Sequence, residues 1–365
     1  MISESRIRVL IVDDSAIVRK VLTDALSGEV DIEVVGTAPD PFVARDKILS
    51  LQPDVLTLDI EMPRMDGVTF LKKLMHYHPM PVIVISSLGI ASSRAALEAL
   101  DAGAIDVLAK PGGPQSVGDL RLSLASKIRA AKVARLRMPA PKAAPQAAPP
   151  SLAHLGQPFS PSAVIAIGAS TGGTDAILKV LLEFPENCPG VVITQHIPAV
   201  FSRSFANRLN ELCAIRVREA EDGDKVEPGL ALVAPGNFHM LLQCSPTGYR
   251  VEIKDGLMVC YQRPAVDVLF HSVARAAGSN STGALLTGMG SDGAQGMLAM
   301  KKAGARTIAQ DEESCVVFGM PKEAIRLGAV DRVLTLSAIP GAILAESRRS
   351  SRVQPEPPSR TPNFL

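Results

Sequence analysis

Residues 164–174 read Val-Ile-Ala-Ile-Gly-Ala-Ser-Thr-Gly-Gly-Thr. An apolar run of strand length passes directly into a turn dense in glycine, as it does where a parallel strand hands over to a helix. Glycine suits such a bend because a Cβ would clash with the tight backbone. The helix opening beyond it offers free N–H groups. The string matches G-x-S-x-G with Ser170 at its centre. Two readings follow: an elbow that exposes a serine nucleophile, or a cradle for a phosphate or nucleotide. Neither G-x-G-x-x-G nor the G-K-[ST] of a P-loop occurs across residues 168–174, which tilts the turn toward catalysis.

The same alternation of short β-branched runs and amphipathic stretches extends in both directions. Strand candidates lie at 7–12, 32–35, 55–58, 82–85 and 105–108, and again at 164–167, 191–195, 230–234 and 284–287. Strands separated by helices argue for βαβ units and parallel sheets. Between the two sets, 138–161 is dense in Pro and Ala, and proline cannot supply the N–H that helix and sheet ladders need. The 365 residues therefore divide into two doubly wound parallel-sheet α/β domains at 5–125 and 162–345. A connector over 126–161, first basic and then Pro/Ala-rich, joins them. The polar, Pro-rich tail at 346–365 is expected to be disordered.

The formal net charge of +1 is a cancellation. Residues 1–125 carry 12 Lys+Arg against 17 Asp+Glu, whereas 126–161 carry 6 basic residues and no acidic one. A balanced total argues against a dedicated nucleic-acid binder. No apolar run reaches the ~18 residues of a membrane span, and the charged start (Glu4, Arg6, Arg8) precedes only a short apolar run. A cytoplasmic protein without direct membrane insertion is expected. The five cysteines are odd in number and lack CxxC spacing, so neither a disulfide framework nor a zinc site is suggested.

In the front domain Asp13 and Asp14 follow the first strand, Asp59 ends the third and Lys110 ends the fifth. A doubly wound sheet gathers such positions at its carboxyl edge. Carboxylates meeting there repel one another unless a hard cation such as Mg²⁺ bridges them. One carboxylate can then accept a phosphoryl group while the lysine neutralises its oxygens. An isolated Asp in such a place is more often a helix cap. Four residues at strand ends in the right order favour the shared site.

In the back domain Ser170 needs a base. Of the six histidines, His76 and His78 fall on a front-domain helix, His154 in the connector, and His271 in a helical segment that suits packing. His196 ends the 191–195 strand and lands on the same carboxyl edge as Ser170. His239, in PGNFHM, is the second choice and could line the pocket instead. For the orienting carboxylate, residues 288–293 (GMGSDG) form another strand-following glycine turn and place Asp292 there. Asp292 could equally cap the helix that follows it; Asp267 and Asp311 are weaker candidates. Cys315 reads as a packed structural residue.

The segments IVDDS (11–15), LDIEMPRMDG (58–67), ISS (85–87) and KP (110–111) resemble a response-regulator receiver domain of flavodoxin-like fold. That resemblance implies that Asp59 is the phosphoacceptor, with Asp13, Asp14, Asp59 and the Glu61 backbone carbonyl as Mg²⁺ ligands. It also makes Lys110 the phosphate-sensing cation and Ser86 the switch hydroxyl. Val107 departs from the aromatic residue that many receivers carry three positions before the lysine.

The segments GASTGG (168–173), QHIP (195–198), APGN (234–237), RPAVDVLFHSVA (263–274), LTGMGSDGAQG (286–296) and AQDEESCVVFGMP (309–321) resemble the chemotaxis protein-glutamate methylesterases. The order Ser170, His196, Asp292 is not the Ser…Asp…His order of α/β-hydrolases, and the expected fold is a Rossmann-like esterase domain instead. The resemblance implies a Ser170/His196/Asp292 triad, oxyanion stabilisation near Met289 and a pocket shaped by Thr171. It also implies amidase activity on glutamine, no cofactor for the esterase reaction, methylated chemoreceptors as substrate and a histidine kinase as phosphodonor. Further, it implies that the unphosphorylated receiver packs over the esterase site. Competing expectations are a phospho-gated hydrolase acting on another ester or amide, or a non-catalytic phospho-gated binding module.

Overall fold

A computed structural model describes residues 6–87, 89–110, 117–136 and 159–348. Most of the Pro/Ala-rich stretch, His154, Pro111 of the Lys-Pro pair and the tail beyond 348 lie outside the described residues. In the front half the chain runs β1 (Ile7–Val12), α1 (Ala16–Leu26), β2 (Ile32–Ala38), α2 (Pro41–Leu51) and β3 (Val55–Asp59), then α3 (Gly67–Tyr77), β4 (Val82–Ser86), α4 (Ile90–Asp101), β5 (Asp106–Ala109) and α5 (Val117–Val133). All five strands are parallel, in the order β2-β1-β3-β4-β5. Every residue of β3 and β4 is buried, as expected of strands covered by helices on both faces. Asp40 and Asp66 cap α2 and α3, each carboxylate accepting from backbone N–H groups of the first turn.

The sequence places the start of the connector at 126, but α5 continues to Val133. Ile128, Ala130 and Ala131 are fully buried in the front domain, and Arg129 pairs with Glu29 and Asp31 at 2.6 and 2.7 Å. Lys127 pairs with Asp106 at 2.6 Å and Lys132 with Asp54 at 2.6 Å, so the basic residues there are fastened to the receiver rather than part of a free connector. At the other end, α11 runs to Glu346, whose buried carboxylate faces Arg306 and Arg332 at 3.6 and 3.9 Å, so order extends past the expected boundary at 345.

The back half comprises β6 (Val164–Ala169), α6 (Gly173–Leu181), β7 (Gly190–Gln195), α7 (Ala199–Leu212), β8 (Arg216–Glu219), β9 (Lys225–Val226), β10 (Leu230–Val233), β11 (His239–Ser245) and β12 (Gly248–Lys254). It continues with α8 (Val266–Ala276), β13 (Ser281–Leu285), α9 (Ala294–Lys302), β14 (Arg306–Gln310), α10 (Met320–Arg326), β15 (Arg332–Leu334) and α11 (Ile339–Glu346). Seven strands form a parallel sheet in the order β15-β14-β13-β6-β7-β10-β8, with a small antiparallel sheet β11-β12-β9 beside it. The chain winds outward from β6 through β7 and then returns to β13 on the other side. The β6/β13 pair is thus the topological switch point, where open α/β sheets place their sites. The strand expected at 284–287 begins earlier, at Ser281, because Ser281 and Thr282 are buried in the ladder rather than in a loop.

The halves touch through α4 and α7, where Ser93 Oγ donates to the Val200 carbonyl at 3.1 Å and Arg208 pairs with Asp101. Just past α5, the Arg135 N–H donates to the Val316 carbonyl at 3.0 Å, and its guanidinium reaches the Glu312 carbonyl at 2.8 Å.

Because Ile128 is completely buried, Ile128→Ala should destabilise the protein by about 2–5 kcal/mol. Denaturant unfolding of the front-domain transition measures this, and a negligible change would return residues 126–133 to the connector.

Candidate active site

Three strand ends meet at the switch point. Ser170 follows β6, His196 follows β7, and Asp292 stands in the turn after β13; all three are buried. His196 Nδ1 lies 3.0 Å from Ser170 Oγ, and His196 Nε2 lies 2.7 Å from Asp292 Oδ2. Asp292 also accepts the Val266 N–H on Oδ2 at 2.7 Å and the Asp267 N–H on Oδ1 at 2.8 Å. These are the first free N–H groups of α8, so a helix N-terminus faces the carboxylate. Burial pushes the Asp292 pKa up, but the His196 hydrogen bond and the two backbone donors outweigh it and hold the carboxyl below its ordinary value. An ionised Asp292 can only accept, so Nε2 carries the imidazole proton and the lone pair on Nδ1 faces the serine hydroxyl.

The turn after β13 passes close to the nucleophile. A Cβ on Gly288 would come within 2.7 Å of Ser170 Cβ, so only glycine permits that approach. Met289 follows it, which puts the backbone of the expected oxyanion position beside Ser170. The Ser170 N–H donates to the Thr287 carbonyl at 3.0 Å. His239 is not brought to Ser170: its Nδ1 accepts the Ala265 N–H at 3.2 Å and its Nε2 donates to the Leu257 carbonyl at 2.9 Å. His271 is exposed on α8, and Cys315 is buried. Asp267 is buried, and its Oδ1 accepts the Gly296 N–H at 2.7 Å.

At the carboxyl edge of the front sheet, oxygens of Asp13, Asp14 and Asp59 lie within 4.8 Å of one another. Burial, joined by the Asp13 charge, pushes the Asp59 pKa up to about 6 against the opposing pull of Lys110. Burial also raises Asp13. Lys110 Nζ sits 2.7 Å from Asp59 Oδ2 and 3.1 Å from Asp13 Oδ2. The Asp13 oxygen nevertheless has no partner in hydrogen-bond geometry. Two buried carboxylates and an exposed one crowded at one sheet edge are a donor set that fits a hard divalent cation. A second group, Cys260 with Asp267 and Asp292, is equally close, but its aspartates are already engaged by backbone N–H groups and His196.

Comparison with known proteins assigns each half of the chain to a family. Residues 165–343 match the CheB methylesterase family, and residues 9–119 match the response regulator receiver domain. A protein-glutamate methylesterase/protein-glutamine glutaminase of Syntrophus aciditrophicus is 56% identical over 93% of this chain and 99% of its own. One from Anaeromyxobacter dehalogenans is 58% identical over 93% and 94%, and one from Salmonella typhimurium is 55% identical over 94% and 97%. The chain belongs to the CheB methylesterase family. It joins to that catalytic domain a receiver with the carboxylate cluster described above. No described helix is long and apolar enough to cross a membrane.

Within this CheB-family chain, the structure supplies partners that the sequence did not. Thr171, next to the nucleophile, donates its hydroxyl to Asp106 Oδ2 of the receiver at 2.7 Å. Asp106 Oδ1 pairs in turn with Lys127 of α5 at 2.6 Å. A carboxylate inside the otherwise apolar 105–108 run was the available signal, since a polar residue in such a strand needs a partner. Ser86 is buried and donates to the Ser92 carbonyl at 3.3 Å. The Glu61 side chain accepts from Ser87 Oγ at 2.9 Å and from Ser92 Oγ, fastening the receiver's acidic loop to α4. Val107 is buried in the receiver core.

A serine-directed fluorophosphonate should label Ser170 in the wild type and leave Ser170→Ala unlabelled at that position. Asp292→Asn should slow labelling by about 10³–10⁴-fold, because the amide no longer enforces the reactive tautomer. Intact-mass kinetics measure both. Labelling of Asp292→Asn at the wild-type rate would remove Asp292 from the relay.

Proposed function

We propose that this chain is a phosphorylation-activated serine esterase serving sensory adaptation in chemotaxis-type signalling. It hydrolyses glutamate methyl esters on chemoreceptors to glutamate and methanol, and converts specific receptor glutamines to glutamate. The observation that carries this reading is the continuous Ser170–His196–Asp292 hydrogen-bonded chain at the switch point. Relatives that span nearly the same length and bear the methylesterase/glutaminase name support it.

In the reaction, His196 Nδ1 takes the Ser170 proton as Oγ attacks the γ-carbonyl carbon. Asp292 holds the resulting imidazolium through Nε2. Negative charge develops on the carbonyl oxygen beside the 288–290 backbone, where N–H groups, with Met289 the assigned position, stabilise it. Collapse breaks the ester bond, and Nδ1 returns the proton to the departing methoxide. Water, deprotonated by the same nitrogen, then cleaves the acyl-enzyme. A glutamine substrate follows the same course with ammonia as leaving group.

Asp59 is assigned as phosphoacceptor for a histidine kinase, with Asp13, Asp14, Asp59 and the Glu61 carbonyl as ligands of Mg²⁺. The ion supplies neutralisation of phosphoryl oxygens. Lys110 contacts the phosphoryl group from the end of β5, and Ser86 is the switch hydroxyl. Gating acts through the contact between receiver and esterase. Asp106 lies on the same short strand as the lysine's attachment and holds Thr171 beside the nucleophile. The Asp106–Thr171 hydrogen bond thus favours the unphosphorylated, closed arrangement.

Methanol release from methylated chemoreceptors tests the reaction: the wild type should be active and Ser170→Ala inactive, whereas equal release by both would end the serine-hydrolase reading. Acetyl phosphate with Mg²⁺ should stimulate the wild type and leave Asp59→Ala at its basal rate. Asp106→Ala should raise unphosphorylated activity roughly tenfold, the equilibrium worth of one charge-assisted hydrogen bond of about 1.5 kcal/mol. An unchanged basal rate would remove that contact from the gate.

A further inference from the structure

The backbone ladder between β6 and β7 ends where the His196 N–H donates to the Ala169 carbonyl at 3.1 Å. Ala169 and Gln195 are the last paired residues. Beyond them the strands part, Ser170 into its turn and His196 toward Ile197-Pro198. The buried side chain of Gln195 crosses this gap. Its Nε2 donates to the Ser170 carbonyl at 2.9 Å and to the His196 carbonyl at 3.2 Å. One amide group therefore adds a cross-strand rung just past the last one the backbone can make, and that rung joins nucleophile to base.

The amide has only one workable orientation, because turned over it would aim its oxygen at two carbonyl oxygens. Its own oxygen, Oε1, is buried without a hydrogen-bond partner. An orphaned buried oxygen is a cost that folds tolerate chiefly where function asks for it. The amide is also wedged: a Cβ on Gly173, the first residue of α6, would lie 2.1 Å from Oε1. A second strand-ending glutamine braces the other side of the switch point. Gln310 closes β14, accepts the Thr287 N–H on Oε1 at 2.9 Å, and donates to the Ser314 carbonyl at 2.7 Å.

We propose that Gln195 is a positioning residue for the hydrolytic reaction, its amide bridging the Ser170 and His196 carbonyls to hold the two side chains at proton-transfer distance. The proposal rests on the serine-esterase reading of the site. Nucleophile and base sit on separate strands whose pairing has just ended, so a small parting of the two loops lengthens the 3.0 Å contact between Oγ and Nδ1. Proton transfer falls steeply with that distance, whereas binding of the receptor segment does not depend on it.

The test uses the full chain, with wild type, Ser170→Ala, Gln195→Met and Gln195→Glu compared for methanol release over a range of methylated-receptor concentrations. Methionine keeps the length and volume but offers no donor. Glutamate keeps the shape and aims a carboxylate at the carbonyls, and it carries the comparison if the methionine variant fails to fold. Folding of each variant is checked by thermal unfolding. In a folded variant kcat should fall by roughly 10- to 100-fold, with KM within about twofold of wild type. A kcat near the wild-type value, or a loss expressed in KM instead, overturns the positioning role. Failure of the wild type to release methanol would sink the esterase reading and this proposal with it. An active wild type matched by its Gln195 variants sinks this proposal alone.

Discussion

The relay proposed for the back domain depends on one buried carboxylate staying ionised. Asp292 sits where water cannot solvate it, and burial alone would neutralise it. Two N–H groups at the start of α8 and the His196 Nε2–H supply what water would have supplied. From that follow the imidazole tautomer, the direction of the Nδ1 lone pair and the serine's acceptor. The position of α8, which touches no reacting atom, is thus a condition for the relay. It also explains why the carboxylate follows β13, since only a residue from across the switch point can meet both α8 and the end of β7.

The receiver solves a related problem differently. Asp13 and Asp59 accept one backbone N–H each, from Ser15 and Glu61, and face Lys110, yet burial still leaves both raised. Asp292 is held below its ordinary value by protein groups alone, whereas Asp13 and Asp59 stay raised beside Lys110, a set that a divalent cation would complete. Two clusters of acidic residues on similar sheet edges therefore differ in what completes them.

Much of this was legible in the sequence because it lay at strand ends. Asp13, Asp59, Ser170 and His196 each follow an apolar run directly, so recognising the strand located the residue. The limits of elements were less legible. Residues 126–133 read as a basic connector because the receiver carboxylates that pair with them lie far along the chain, and the buried Ile128 and Ala131 between them were too few to reveal a helix face. Strands β8 and β14 escaped notice because Arg216–Glu219 and Arg306–Gln310 carry polar residues that pair with distant partners. The partners of Asp106 and Gln195 were not legible for a related reason, although a carboxylate inside the 105–108 run marked Asp106 as needing one. Each acts through a hydrogen bond to a residue far along the chain, and no local pattern encodes that partner.

The contact between the halves is built for reversal. Its named bonds are polar: Asp106 with Thr171, Ser93 with Val200, Arg208 with Asp101, and Arg135 with Glu312 and Val316. A net hydrogen bond contributes only about 0.5–1.5 kcal/mol, since separation exchanges it for bonds to water. Apolar side chains also meet there, Leu97 and Leu100 of α4 facing Leu178 and Phe205, so the polar bonds add to an apolar contact rather than replace it. To carry such an equilibrium from 1:99 to 99:1 requires a differential of about 5.5 kcal/mol. Under the proposed gating, a phosphoryl group beside Lys110, which follows β5, the strand that carries Asp106, would have to supply that difference.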